Sequence, residues 1–188
     1  MTHPLDWKLV ESKYLISDRW LKLRADTCKL PNSSIVEPYY VIEYPTWINV
    51  VAVTSRNEVV LVRLYRHGIQ QTVLELPSGG VEASDSSILE AARRELLEET
   101  GYGGGTFVET GRLSPNSANH SNTVHCFLAT GVEQISPPAE DETEQLEIIT
   151  MPLMEVSKLA RNNGFFQALH VASLFFAFDK LGKLNIEE

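Results

Sequence analysis

The spacing of apolar positions changes along the chain and divides it into strands, one capped helix and a helical end. Leu21, Leu23 and Ala25 alternate with Lys22, Arg24 and Asp26, the two-residue period of a half-buried strand. Pro31-Asn32-Ser33-Ser34 is a turn, and Pro45 ends an apolar run from Tyr39 to Tyr44. Residues 1–45 are therefore expected to form an antiparallel extension, with a second domain over 46–188. Trp47 to Thr54 and Val59 to Tyr65 read as a hairpin, and Val73 to Leu76 as a short strand running into Pro77-Ser78-Gly79-Gly80. The period then lengthens. Ile88, Leu89, Ala92, Leu96 and Leu97 make a helical stripe, with Ser87 as N-cap, Glu90 placed to close a capping box and Gly101 as the stop. Gly103-Gly104-Gly105 follows a helix end rather than opening one, so it is expected to be a flexible connection and not a phosphate cradle.

Phe107 to Leu113 and Val124 to Thr130 predict strands around a polar loop, Ser114 to Asn122, and Leu146 to Met151 predicts the last strand. Pro152 opens a helix with Leu153, Val156, Leu159 and Ala160 on one face. The final helix, about Phe165 to Leu181, is apolar nearly all round, so burial on two sides is expected, by the sheet and by a dimer partner.

The polar side of the central helix carries candidate chemistry. Glu95, Glu98 and Glu99 stand at i, i+3 and i+4, so three carboxylates share one side of a single turn. They repel one another, two lie where the helix dipole disfavours anions, and Arg94 offsets only part of this. A hard divalent cation, Mg²⁺ or Mn²⁺, suits such an oxygen-rich cluster; the plainer alternative is a solvated charged face.

Composition narrows the partners. The 188 residues include 43% hydrophobic ones, enough for a well-packed domain, and the net charge of −9 argues against nucleic acid or an anionic membrane as the main partner. No basic-then-apolar leader opens the sequence and no run reaches the length of a membrane span, so a cytoplasmic protein is expected. Cys28 and Cys126 form no CxxC and are expected to be reduced and buried. His125 fits a structural hydrogen bond in its strand, and His120 has no assigned role.

Gly80, Arg94, Glu95, Leu96, Glu98, Glu99 and Gly101 resemble the Nudix box, the signature of hydrolases that cleave nucleoside diphosphates linked to another group. The loop is one residue longer than usual, which leaves the box's first acidic position to Asp85 or Ser86. Val62 to Arg66 and Leu74 to Gly79 further resemble ADP-ribose pyrophosphatases. The resemblance implies an α/β fold, a Nudix α/β/α sandwich with a mixed central sheet and a small antiparallel N-terminal sheet. It implies Mg²⁺-dependent cleavage of a nucleoside diphosphate sugar, ADP-ribose giving AMP and ribose 5-phosphate, with GDP-mannose or another nucleotide sugar as the alternative. A non-catalytic module that binds a nucleotide sugar is the rival reading. The carbonyl of Ser78 with Glu95, Glu98 and Glu99 would hold metal, while Arg66, Glu75, Gly79 and Gly80 would meet substrate. Arg94 would orient a glutamate, and Glu142, with Glu144 next, would act as general base from the acidic loop Glu140 to Glu144. The resemblance also implies a homodimer exchanging N-terminal strands, with Trp20, Tyr44 or Trp47 stacking on adenine.

Overall fold

A computed structural model describes residues 3–139 and 145–184. They fall into two units, Met1–Pro45 with Ser114–Thr123, and Thr46–Leu113 with Val124–Glu188.

In the first unit, β1 (Lys8–Ser17), β2 (Lys22–Lys29) and β3 (Ile35–Glu43) form an antiparallel sheet in that order. The first hairpin turns at Asp18, whose Oδ1 accepts from the backbone N–H groups of Trp20 at 2.7 Å and Leu21 at 2.8 Å. The alternation read in β2 places its burial differently. Leu23 and Ala25 are only half-buried, whereas Asp26 and Cys28 are buried, because Asp26 is satisfied by the Ser12 hydroxyl at 2.6 Å and by Arg24 at 3.1 Å. The polar loop Ser114–Thr123 joins this sheet. Ile42 donates its N–H to Asn119 O at 2.7 Å and accepts from Ser121 N–H at 3.1 Å.

The second unit begins with β4 (Trp47–Thr54), β5 (Glu58–Arg66), β6 (Gln71–Glu75) and β7 (Ser78–Gly80). Then come α1 (Ile88–Thr100), β8 (Tyr102–Gly103), β9 (Thr106–Leu113) and β10 (Val124–Gln134), and finally β11 (Glu147–Pro152), α2 (Leu153–Arg161) and α3 (Ala168–Lys180). The sheet runs β11-β5-β4-β10-β8, with β6 on β5, β7 on β4 and β9 on β10. Its β4–β10 pair is parallel and the others antiparallel, so the sheet is mixed. β4 is apolar along nearly its whole length because helices cover both its faces. Ile48, Val50 and Ala52 pack with Ala91, Ala92 and Leu96 of α1; Val51 and Val53 pack with Leu153 of α2 and Leu174, Ala177 and Phe178 of α3. This is the α/β/α sandwich with a mixed sheet and a small antiparallel N-terminal sheet that the sequence implied.

Two expectations change in detail. The glycine connection is part of the sheet: Gly103 pairs in β8, Gly104 and Gly105 turn at φ +69°, and a Cβ on Gly105 would lie 2.4 Å from Thr130 O. α3 is shorter than its apolar run, and one of its faces is covered within the chain; Phe175 stays 49% exposed. Cys28 and Cys126 are indeed free thiols, both buried. No helix among the described residues is long and apolar enough to cross a membrane.

Candidate active site

β7 pins the glycine turn onto the central strand, with Ser78 opposite Asn49, Gly79 opposite Ile48 and Gly80 opposite Trp47. α1 lies across this turn because both its ends are fixed. Ser87 Oγ accepts from Glu90 N–H at 3.2 Å, and Gly101, at φ +73°, donates to Leu97 O at 2.8 Å. The reciprocal half of the capping box is replaced by an ion pair between Glu90 and Arg93 at 3.7 Å. Ala91, Ala92, Leu96 and Thr100 are the buried side of the helix, which turns the next side toward β7. A Cβ built on Gly79 would meet the Glu95 carboxyl group at 2.2–2.4 Å, so only glycine lets that carboxylate rest on the turn.

Arg94 ties the site together. It reaches Asp85 through Nε at 2.9 Å and Nη2 at 3.0 Å, Gly80 O at 2.9 Å, Glu95 at 2.9 Å and Glu98 at 3.0 Å. The open question of the long loop is thereby answered: Asp85 supplies the acid, and it also accepts from Glu82 N–H at 2.8 Å to close the loop on itself. Hydrogen bonds from Arg94, then that N–H, hold the Asp85 carboxyl below the usual carboxylate range. The same bonds to Asp85 lead the causes that raise the Arg94 pKa.

The three glutamates are not gathered at one point. Glu95 and Glu98 share Arg94, while Glu99 Oε2 accepts from Ser78 N–H at 3.1 Å. Among the described residues no group of three or more His, Cys, Asp or Glu side chains is placed to hold a metal ion. Each carboxylate has an N–H or guanidinium partner, which offsets the repulsion their spacing creates. The donor set nonetheless fits a hard divalent cation: it is all oxygen, and Glu95 and Glu99 both abut the turn that carries the Ser78 carbonyl. Glu98 is the outermost, with its side chain 51% exposed.

A cavity of about 320 Å³ opens beside the turn, lined among others by Glu99, Trp47, Arg66, Glu75, Gln167 and His170. Arg66 and Glu75, both expected to meet substrate, grip each other through Nε–Oε1 at 3.1 Å and Nη2–Oε2 at 2.6 Å, and Glu75 is only 4% exposed. His170 and Asn49 were not singled out from sequence. His170 is buried, its Nδ1 accepts from Leu76 N–H at 3.3 Å, and burial pushes its pKa down to about 4. Asn49 donates to Ser173 Oγ at 3.1 Å beneath the cavity. The signal for both was a polar residue inside an apolar run, Asn49 in β4 and His170 in α3.

The remaining candidates lie elsewhere. Glu142 and Glu144 fall outside the described residues. The segment before them is held against α1, with Ala139 N–H donating to Glu98 O at 2.8 Å. Of the three aromatics, Trp47 lines the cavity; Trp20 and Tyr44 line a hollow of the N-terminal unit. His125 is a structural residue, hydrogen-bonded to Glu109 at 2.8 Å, and the His120 ring packs 5.4 Å from that of Tyr44.

Residues 45–171 match the model of the NUDIX domain, and residues 7–42 match that of the nucleoside diphosphate sugar hydrolase N-terminal domain. A methanol dehydrogenase activator of Bacillus methanolicus is 25% identical over 168 residues, 89% of this chain and 90% of that protein. An ADP-ribose pyrophosphatase of Bacillus subtilis is 26% identical over 165 residues, 87% of this chain and 88% of its own length. The crystal structure of an ADP compounds hydrolase superposes with a TM-score of 0.81 at 21% identity, covering 98% of this chain and all of the other.

Proposed function

The chain belongs to the NUDIX domain family, and from that premise we propose that it hydrolyses the diphosphate bridge of a nucleoside diphosphate sugar, ADP-ribose before others, to AMP and ribose 5-phosphate. That it is a Nudix pyrophosphohydrolase is shared with its relatives; the sugar and the metal are particular to this reading. The observation that carries it is the placement of Glu95 and Glu99 on the Ser78–Gly80 turn, at the edge of a cavity that also holds Arg66 and Glu75.

Cleaving a diphosphate requires neutralised phosphates, an oriented water and a base for its proton. Nudix hydrolases generally use divalent metal ions. Here Mg²⁺, or Mn²⁺ in its place, would be held by Glu95, Glu98, Glu99 and the Ser78 carbonyl, supplying positive charge to the phosphates and acidifying water. Arg94 keeps Glu95 and Glu98 in place from behind, and Asp85 fixes Arg94. Gly79 and Gly80 leave room for substrate beside the ridge, and Arg66, aligned by Glu75, offers a guanidinium to a phosphoryl oxygen. Glu142 is the base we assign, with Glu144 second; the chain enters that loop from Ala139, which is bonded to the turn of α1 that bears Glu98.

A homodimer and a cytoplasmic setting complete the reading. Trp7, Leu9, Val10, Leu15 and Ile16 are exposed on or beside β1, an apolar surface of the kind a second subunit covers, and both cysteines are free thiols. The test is a panel of nucleotide sugars and nucleoside triphosphates incubated with Mg²⁺, with products identified by mass. AMP and ribose 5-phosphate from ADP-ribose are expected, with Glu142→Gln slowing turnover by about 10²-fold or more. Cleavage of triphosphates alone would overturn the substrate class, and an unchanged rate in Glu142→Gln would move the base to Glu144 or Glu95.

A further inference from the structure

Among the described residues, His170 is the one buried titratable side chain of the cavity that the proposed chemistry leaves unused. Its ring has two polar atoms with separate fates. Nδ1 accepts the Leu76 N–H, which places the ring proton of the neutral imidazole on Nε2. The Nδ1 bond leaves Nε2 as the ring's donor, and His170 lines the cavity. The ring lies near enough to Glu75 and Arg66 for both charges to act on it, and those two groups pair with each other at 2.6 Å.

The wall therefore offers a neutral donor beside a carboxylate whose two oxygens each accept one guanidinium bond and retain further lone pairs. An anionic oxygen seated there would face Glu75 and be repelled. A hydroxyl can accept from Nε2–H and donate to Glu75 in the same pose. We propose that His170, with Glu75, reads a sugar hydroxyl of the substrate. This rests on the nucleotide-sugar reading and adds to it a residue and a recognised group. The hydroxyl can come from the sugar beyond the diphosphate or from the ribose of the nucleoside.

The test uses His170→Asn in the full chain. Asparagine keeps an acceptor near the Nδ1 position for Leu76 N–H and is too short to place a donor where Nε2 stands. Three substrates are compared under Mg²⁺: ADP-ribose, the methyl ester of ADP, and an ADP-ribose whose adenosine lacks its 2′- and 3′-hydroxyls. For ADP-ribose, kcat/KM is expected to fall about five- to tenfold through KM, the worth of one neutral hydrogen bond. It should fall less than about twofold for whichever analogue lacks the hydroxyl being read. His170→Leu should give the same pattern if it folds. Equal losses on all three substrates would make His170 merely structural, and no loss on any would also overturn the inference. A wild type that cleaves none of them would overturn the nucleotide-sugar reading and this inference together, whereas an active wild type with unchanged ratios in the variant overturns the inference alone.

Discussion

Single residues set the tolerances of this site. Gly79 is required by the carboxyl group of Glu95 lying where a Cβ would go, and Asp85 is required by Arg94, which would otherwise direct its whole positive charge at the ridge. Sequence alone could not separate Asp85 from Ser86, because one extra loop residue shifts the count in either direction and only the Arg94 geometry resolves it. His170 was harder to place for a different reason: a polar residue in an apolar helix signals burial but not what it faces, and its partner Leu76 is 94 residues away. Its burial has a measurable consequence. With a pKa near 6.5 when unfolded and about 4 when folded, His170 binds its proton more readily in the unfolded chain. Its contribution is therefore complete above about pH 6.5 and is lost as pH falls toward 4, by about 3 kcal/mol in all. Denaturant titrations of wild type and His170→Asn at pH 7 and 4.5 should show the wild type losing more stability than the variant; parallel losses would contradict the assignment.

Among the elements, α1 was the most legible. Ser87, the apolar stripe and Gly101 all act within a few residues of one another, and local rules place them correctly. The strands of the sheet were legible by period, while their partners were not, since β4–β10 pairing joins residues about 77 apart and no local pattern encodes it. The loop Ser114–Thr123 likewise gave no sign that it belongs with the N-terminal sheet, because its contacts are backbone bonds to Ile42. The three-glutamate ridge was legible as spacing, while the way Arg94 divides its bonds between Glu95 and Glu98 was not, since that depends on side-chain geometry no local pattern encodes. The α1–β7 contact is the element-scale device of the site. Gly79→Ala would push the Glu95 carboxyl group off the turn, and because the atoms that must move are the far end of a flexible side chain, the fold should stay within about 1 kcal/mol of wild type. Turnover should fall about 10- to 100-fold, as reacting groups move by an ångström or more. Full activity in that variant would show that Glu95 need not rest on the turn.

At the scale of the whole molecule, the division of labour follows burial. The second unit buries both faces of its sheet and contains the cavity; the first is a three-stranded sheet whose first strand is exposed along its length. An edge strand carrying Leu9, Val10, Leu15 and Ile16 in water is an association surface or a liability. Sedimentation of the full chain should give a dimer, and replacing Leu9 and Val10 with lysine should shift it toward monomer; a monomer in the wild type at micromolar concentration would contradict the dimer. In the proposed function the acidic charge of −9 would place the burden of phosphate recognition on a bound cation and on Arg66. That dependence is tested most directly at Glu99, which shares the turn with the Ser78 carbonyl. Wild type with Mg²⁺ should cleave ADP-ribose and lose the activity to a chelator. Glu99→Gln, melting like wild type, should lose about 10³-fold or more in kcat, whereas near-wild-type turnover in that variant would contradict a metal-dependent hydrolase built on this ridge.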